Sequence, residues 1–212
     1  AGLAAVWARE NTRESVYDAL VSKETYATSG PRISLRFFGG YGYSEAMLQS
    51  PQLLDEAYAG GVPMGGTLSA QPNAAPAFVA WVAKDPEGAN LDRLQIIKGW
   101  VDAQGASHEK IYDVALSDGR VEDAQGIVPA VGNTVDVASA TYTNSIGAQQ
   151  LRAYWQDPDF DAGQDAFYYA RAIEIPTPRW STYDAKRLGV EAPTPQSLQE
   201  RAISSAIWFD AP

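Results

Sequence analysis

The spacing of apolar residues changes at Pro31, and this change restricts the fold more than any other feature of the sequence. Before Pro31, residues 11–24 carry apolar side chains at helical spacing, with Asn11 or Thr12 available as the N-terminal cap. After Pro31, apolar and polar residues alternate over 32–37, which is the period of a strand with one face in water. The sequence therefore predicts one helix followed by a β-rich domain.

Further strand-like segments follow, separated by turn-forming pairs such as Asp118-Gly119 and Gly132-Asn133. These segments are 78–83, 94–99, 111–116, 135–141, 151–155, 167–175 and 206–209. Short helices are predicted at 53–58 and 182–188, and a glycine-rich loop at 39–43. The expected fold is mostly β (α+β): an antiparallel β-sandwich-like domain preceded by one helix.

Composition excludes several classes of site. The 212 residues include one His and no Cys, so this chain alone cannot build a zinc ribbon, an iron–sulfur site or a multi-histidine metal centre. Sixteen Lys and Arg against 26 Asp and Glu give a net charge of −10, which disfavours nucleic acid as a partner. No apolar run approaches the ~20 residues that a membrane-spanning helix needs.

The first residues have neither an initiator Met nor the basic region of a signal peptide, so we expect the chain to be part of a longer protein. The compartment stays open, because a chain without Cys suits a periplasmic or secreted protein as well as a cytoplasmic one.

Nine stretches, spread over nearly the whole chain, carry a family resemblance: ARENTRE (8–14), YATSG (26–30), GVPMGG (61–66), KDPEGANLD (84–92), IIKGW (96–100), HEKIYD (108–113), YTNSIG (142–147), FYYAR (167–171) and EIPTPRW (174–180). In this order they resemble one branch of the polymerase-and-histidinol-phosphatase (PHP) type of metal-dependent hydrolases. This branch is a large bacterial family catalogued as a domain of unknown function.

The resemblance implies that residues 1–30 are the end of a PHP-type barrel, with a helix at 11–24 and a strand, and that 31–212 form a C-terminal β-rich domain. Family members carry their metal-binding His and Asp residues upstream of the segment that matches Ala1. The resemblance therefore implies that this chain holds no cofactor and that a divalent metal binds in the missing N-terminal barrel. That barrel would be the partner of this chain. It also implies a hydrolase of small anionic esters, such as phosphate esters, whose pocket this domain would shape. The chain alone is expected to be inactive.

Three residues are candidates for contact with an anionic substrate. Pro176 and Pro178 stiffen the backbone before Arg179, whose guanidinium can bind a phosphate or carboxylate through two hydrogen bonds, and Trp180 can stack beside it. The structural alternative is an Arg179 that pairs with Glu174 or Asp184. Arg13, in the segment that resembles the barrel, is the third candidate.

Two weaker signals concern metal binding and catalysis. Asp157, Asp159 and Asp161 have the i, i+2, i+4 spacing of a calcium loop, although an Asp-rich turn explains them equally well. His108 is the only imidazole available as a base, and a loop or strand-edge histidine is the plainer interpretation.

The alternative function is a non-catalytic β-sandwich that binds a ligand, a glycan or a protein. Exposed coplanar aromatic side chains on one sheet face would favour this alternative. An apolar or Arg-lined surface beside residues 1–30 would favour the hydrolase domain.

Overall fold

The computed structural model describes residues 2–72 and 74–212, and within these ranges the chain forms fourteen strands, three α-helices and one 3₁₀ helix. The strands are β1 Leu3–Val6, β2 Thr25–Thr28, β3 Ser34–Gly40, β4 Gly61–Pro63, β5 Thr67–Ser69, β6 Ala77–Ala83, β7 Leu91–Val101, β8 Ser107–Leu116, β9 Gln150–Gln156, β10 Ala166–Glu174, β11 Thr177–Pro178, β12 Ser197–Leu198, β13 Arg201–Ser204 and β14 Ile207–Asp210. The helices are α1 Arg13–Val21, α2 Leu53–Gly60 and α3 Trp180–Leu188, and the 3₁₀ helix is Glu45–Gln49.

Strand β10 is the centre of an eight-stranded sheet. One of its edges pairs with β7 from end to end, and β7 continues to β8. Its other edge pairs first with β14 and then with β13, which leads on to β2 and β1. These pairs are antiparallel, and the sheet ends beyond β14 with β5, which runs parallel to it. A four-stranded antiparallel sheet has the order β4-β3-β6-β9, and β11 pairs with β12 separately.

The two larger sheets enclose one apolar core, so the predicted sandwich-like fold is confirmed. Buried side chains of the smaller sheet, such as Phe37 and Phe78, lie in one cluster with Ile96 and Tyr168 of the larger sheet. The rings of Phe78 and Tyr168 have centroids 4.4 Å apart, within the range of favourable aromatic contacts.

The smaller sheet is also covered on its outer face, where α2 packs. Phe38 and Val79 form a second buried cluster with Leu53 and Ala57 of that helix. Successive strand residues point to opposite faces, and here both faces are dry, which is why Phe37 and Phe38 are both buried.

Several predicted boundaries shift. Helix α1 is shorter than 11–24, because Thr12 caps its first turn by accepting from Ser15 N and Lys23 takes a positive φ of 60° after its end. Helices α2 and α3 confirm the short helices predicted at 53–58 and 182–188. The predicted loop at 39–43 begins later than expected, since Gly40 still belongs to β3.

The strand predicted at 135–141 is wrong. This segment is a loop with one isolated bridge between Asp136 and Thr141. The Asp136 carboxylate accepts hydrogen bonds from the Ala138 and Ser139 backbone amides and from the Ser139 hydroxyl. Such local side-chain bonds favour turns over strand ladders.

The segment before Pro31 is hydrogen-bonded into the larger sheet through β2, whose Thr28 lies opposite Ala202 of β13. Its assignment to a barrel stays a prediction. In the described part of the chain, no helix combines the length and the apolar character needed to cross a membrane.

Candidate functional site

Helix α1 leaves several large apolar side chains exposed to solvent. Tyr17, Leu20 and Val21 are 65%, 54% and 62% exposed, and Ala19 is the one residue of the helix that is buried. The apolar residues predicted at helical spacing over 11–24 thus include Leu20, which is exposed to solvent. We call Tyr17, Leu20 and Val21 the α1 face. Arg13, the first residue of this helix, lines a groove of about 550 Å³ with Tyr17 and Leu20.

Beside α1 lies a cavity of about 780 Å³ between the N-terminal segment, β3 and α2, which we call the N-terminal cavity. Trp7, Arg9, Glu24, Arg36 and Tyr58 contribute to its wall. The Arg36 guanidinium carbon lies 3.4 Å from the centroid of the Trp7 ring, a cation–π contact. Trp7 is fixed in turn by its indole N–H, which donates to a backbone carbonyl of β3 at 2.8 Å.

Hydrogen bonds hold Arg36 from the other side. Its Nη1 donates to the Tyr58 hydroxyl at 2.8 Å and lies 3.4 Å from Glu24 Oε1, and the Tyr58 hydroxyl donates to the same carboxylate. Burial raises the pKa of Tyr58 to about 12, helped by the Glu24 hydrogen bond. The phenol therefore stays protonated, and Glu24 neutralises Arg36.

Arg9 lines the same cavity without such a partner. Its side chain is exposed and forms no ion pair with any residue that the structure describes. A guanidinium at a cavity wall with free donors can bind a carboxylate or phosphate. The alternation over 32–37 places Arg36 only on the wet face of a strand and carries no sign of its contacts with Trp7 and Tyr58.

Arg179 and Trp180 lie elsewhere, at the start of α3, and neither lines the α1 groove or the N-terminal cavity. Trp180 is 67% exposed, and the Arg179 guanidinium carbon is 5.8 Å from its ring centroid. Within the described ranges Arg179 pairs with neither Glu174 nor Asp184. The three substrate-binding candidates thus occupy two separate places.

The α3 region is built from three of the stretches that carry the family resemblance. The Asn90 side-chain amide donates to the carbonyls of Asn144 and Ile146 at 3.2 and 2.9 Å, and Ile175 N donates to the Asn90 carbonyl at 2.8 Å. Glu174 lies buried beside this junction, and its Oε1 has no hydrogen-bond partner among the residues that the structure describes. Burial, with the charges of neighbouring carboxylates, raises its pKa to about 8.

The structure does not assemble the calcium candidates around one point. Asp157 is buried and lies 2.6 Å from the Lys98 ammonium, and Asp159 pairs with Lys110. Asp161 Oδ1 accepts a hydrogen bond from Gly163 N. Within the described residues, no three His, Cys, Asp or Glu side chains are grouped so as to hold a metal ion.

His108 lies at the β7–β8 hairpin, with its Nε2 2.7 Å from Asp102 Oδ2 and its ring stacked on Trp100 at 5.2 Å. The hydrogen bond from His108 lowers the pKa of Asp102. Ser107 is the adjacent strand residue and points to the opposite face. Ser107 is therefore not positioned to act as a nucleophile beside His108 and Asp102.

Residues 1–211 match a family described as "Protein of unknown function (DUF3604)". The chain belongs to this family. It has no significant match among curated proteins or among solved structures. Family membership confirms the part of the resemblance that concerns a domain of unknown function.

In this family member, aromatic side chains also line the outer face of the larger sheet. Phe167 and Tyr169 of β10 stack at 6.4 Å with 14° between their planes, and Trp208 of β14 lies 5.3 Å from Phe167. Trp208 is 47% exposed. Phe167 and Tyr169 are nearly coplanar but partly buried, and the exposed Trp208 is tilted by 49° from Phe167, so this face meets the criterion of exposed coplanar aromatic side chains only in part.

Proposed function

We propose that this chain is the C-terminal β-domain of a metal-dependent hydrolase that acts on phosphate or related esters. In this proposal the domain packs against an N-terminal barrel and shapes the substrate pocket. The proposal rests on the resemblance to PHP-type hydrolases. The observation that carries it is the N-terminal cavity beside the exposed α1 face, where Arg9 has no ion-pair partner among the described residues although Glu24 and Asp55 also line the wall.

The α1 face is the surface that we assign to the barrel. Contiguous exposed apolar side chains commonly mark an interaction site, and Tyr17, Leu20 and Val21 lie within one helix that belongs to the barrel-like segment. Packing the barrel there would place the N-terminal cavity at the edge of the domain contact. Pockets between domains are frequent sites for small ligands.

The residues of the chain would bind and orient the substrate. Arg9 supplies free guanidinium donors for an anionic ester, and Arg13 lies at the start of the neighbouring helix. Arg36 is held by Trp7, Glu24 and Tyr58 and would keep the cavity wall in shape. Arg179 and Trp180 line neither the α1 groove nor the N-terminal cavity, so they would contact substrate only if the barrel also reaches the start of α3.

The described residues do not fit a metal, since they contain no group of three ligating side chains. In this proposal the divalent metal binds in the barrel, as the resemblance implies, and no step of the reaction is assigned to this chain.

The test compares the longer protein, which carries the barrel, with residues 1–212 alone. Both are supplied with divalent metal and assayed on phosphate, phosphonate and sulfate esters. Turnover is expected from the longer protein and none from the chain alone. Turnover by the chain alone, or none by the metal-loaded longer protein, would overturn the proposal.

Variants of the longer protein test the binding role. Arg9→Ala should raise KM about tenfold, the loss expected for one charge-assisted hydrogen bond. Arg187→Ala removes an exposed arginine of α3 and is the matched control. Equal KM values for the two variants would show that Arg9 is a solvated residue with no role in substrate binding. Arg13→Ala and Arg179→Ala, measured alongside, show which end of the domain meets the substrate.

The second candidate function is the non-catalytic binding module. It is favoured by the aromatic side chains on one sheet face, namely the half-exposed Trp208 and the partly buried Phe167 and Tyr169.

A further inference from the structure

A cavity of about 650 Å³ lies where the β7–β8 hairpin meets the beginning of β10 and the end of β14. We call it the hairpin cavity. Its lining residues are shared with neither the N-terminal cavity nor the α1 groove. It adjoins Ala166, the first residue of β10, whereas Glu174 is the last residue of this nine-residue strand and α3 comes after it. At about 3.3 Å per residue the two ends are roughly 25 Å apart.

One wall of the hairpin cavity is aromatic. Phe167 and Trp208 lie directly opposite each other in the β10–β14 pair and therefore point to the same face. Across the β7 edge the opposite residue is Gly99, and a Cβ atom there would overlap the Phe167 ring. The distal end of the Phe167 ring thus occupies the space that a side chain at Gly99 would fill. Trp100 and His108 also border the cavity, but they alternate with Gly99 and Glu109 along their strands and so direct their stacked rings to the other face of the sheet.

The polar groups of the hairpin cavity are mainly carboxylates. Glu109, Asp165 and Asp210 line it, and none of them forms an ion pair within the described ranges. Asp165 Oδ1 accepts a hydrogen bond from Ala211 N at 2.8 Å, which fixes that side chain. Carboxylates without a neighbouring cation accept hydrogen bonds and repel anions.

A neutral sugar can contact the aromatic wall and hydrogen-bond to the carboxylates at the same time. Ring faces carry negative charge density, which attracts the polarised C–H groups of a pyranose, and carboxylates accept hydrogen bonds from its hydroxyls. The cavity also has the size of a small-ligand site, which is commonly 300–1,000 Å³, and is concave where a protein interface would be flatter and larger.

We propose that the hairpin cavity binds a neutral oligosaccharide, with one sugar ring stacked on the half-exposed Trp208 and hydroxyls donated to Glu109 and Asp210. This proposal develops the binding-module candidate and does not depend on the hydrolase proposal.

The test is calorimetric titration of residues 1–212 with cellohexaose, xylohexaose and maltohexaose, and with glucose 6-phosphate as an anionic comparison. At least one neutral oligosaccharide should bind, and glucose 6-phosphate should not. Trp208→Ala should weaken binding about three- to tenfold, the loss expected for one aromatic stacking contact. Asp210→Asn and Glu109→Gln change exposed residues with little risk to folding and should each weaken binding as well. Leu188→Ala, an exposed apolar residue of α3, is the matched control and should bind like the unchanged protein.

Three results would overturn the proposal. The first is no binding by any of the three oligosaccharides. The second is binding that Trp208→Ala, Asp210→Asn and Glu109→Gln all leave unchanged. The third is a dimer in sedimentation experiments that Trp208→Ala dissociates, since the face would then pair two copies of the chain. No ester turnover enters these measurements, so failure here is distinct from failure of the hydrolase proposal.

Discussion

The Lys98 ammonium lies 2.6 Å from Asp157 Oδ2, and both side chains are almost completely buried in the sandwich. Lys98 also donates to the Asp159 carbonyl, and Asp157 Oδ2 accepts from the Tyr168 hydroxyl, each at 2.8 Å. Burial of Tyr168, together with the Asp157 charge, raises the pKa of its phenol, so it remains a donor. The lysine is thus the cation that neutralises the first carboxylate of the Asp-rich loop.

Replacing Lys98 should therefore destabilise the domain strongly. Lys98→Met leaves Asp157 buried without its cation, and such a loss costs about 3–5 kcal/mol of unfolding free energy. Urea unfolding measures it. Lys110→Met is the matched control, because the Lys110–Asp159 pair is half exposed and water screens it. Losses of equal size in the two variants would contradict the assignment of Lys98 as a structural cation.

Calcium should not stabilise the domain. Asp157 is already neutralised by Lys98, and Asp161 is engaged with the Gly163 amide, so the loop lacks a ready set of oxygen ligands. The melting temperature should be the same in calcium chloride as in magnesium chloride of equal concentration. A calcium-specific increase that disappears in Asp161→Asn would restore the calcium hypothesis.

Glu174 should make the domain less stable as pH rises. Burial raises its pKa from 4.5 to about 8, so between these pH values the folded state holds a proton that the unfolded state has lost. The contribution of Glu174 to the unfolding free energy is therefore greatest below pH 4.5. It falls by up to about 1.4 kcal/mol per pH unit until the folded pKa is passed.

Glu174→Gln removes this proton while keeping the shape of the side chain. The unfolding free energy of the variant should fall less steeply between pH 5 and 8, within the window set by the two pKa values. Urea unfolding at several pH values gives the difference between the two curves. Glu200→Gln is the comparison, since the Glu200 charge helps to raise the pKa of Glu174. Parallel curves for the unchanged protein and Glu174→Gln would show that Glu174 does not titrate in this range.

The sequence correctly predicted those strands and helices in which the apolar residues are also the buried ones. The alternation over 32–37 identified β3, because its core-facing residues Leu35 and Phe37 are apolar and buried. Strand β1 was missed, since Leu3–Val6 is mostly exposed and depends on pairing with β2. The error at 135–141 has the same origin: apolar residues suggested a strand, and the Asp136 side chain stabilised a turn instead.

The candidate site was only partly predictable. Arg13 and Arg179 were singled out by residue type and local context, which carries no information on their separation in space. The N-terminal cavity depends on Trp7, Arg36 and Tyr58, which come together only when β3, α2 and the N-terminal segment pack. The one sequence signal was the place of Arg36 on the polar face of a predicted strand.

Arg36→Lys tests whether the N-terminal cavity is held by the shape of the guanidinium or by its charge. A lysine keeps the charge and cannot lie flat on Trp7 while donating sideways to Tyr58, as Arg36 does. We therefore expect the unfolding free energy to fall by about 1–2 kcal/mol and the Trp7 fluorescence to change as its ring becomes uncovered. Arg32→Lys is the matched control, because Arg32 is exposed and contacts Asp85 through its backbone amide. If both variants unfold alike and keep the same fluorescence, the stacking of Arg36 on Trp7 contributes nothing to the cavity.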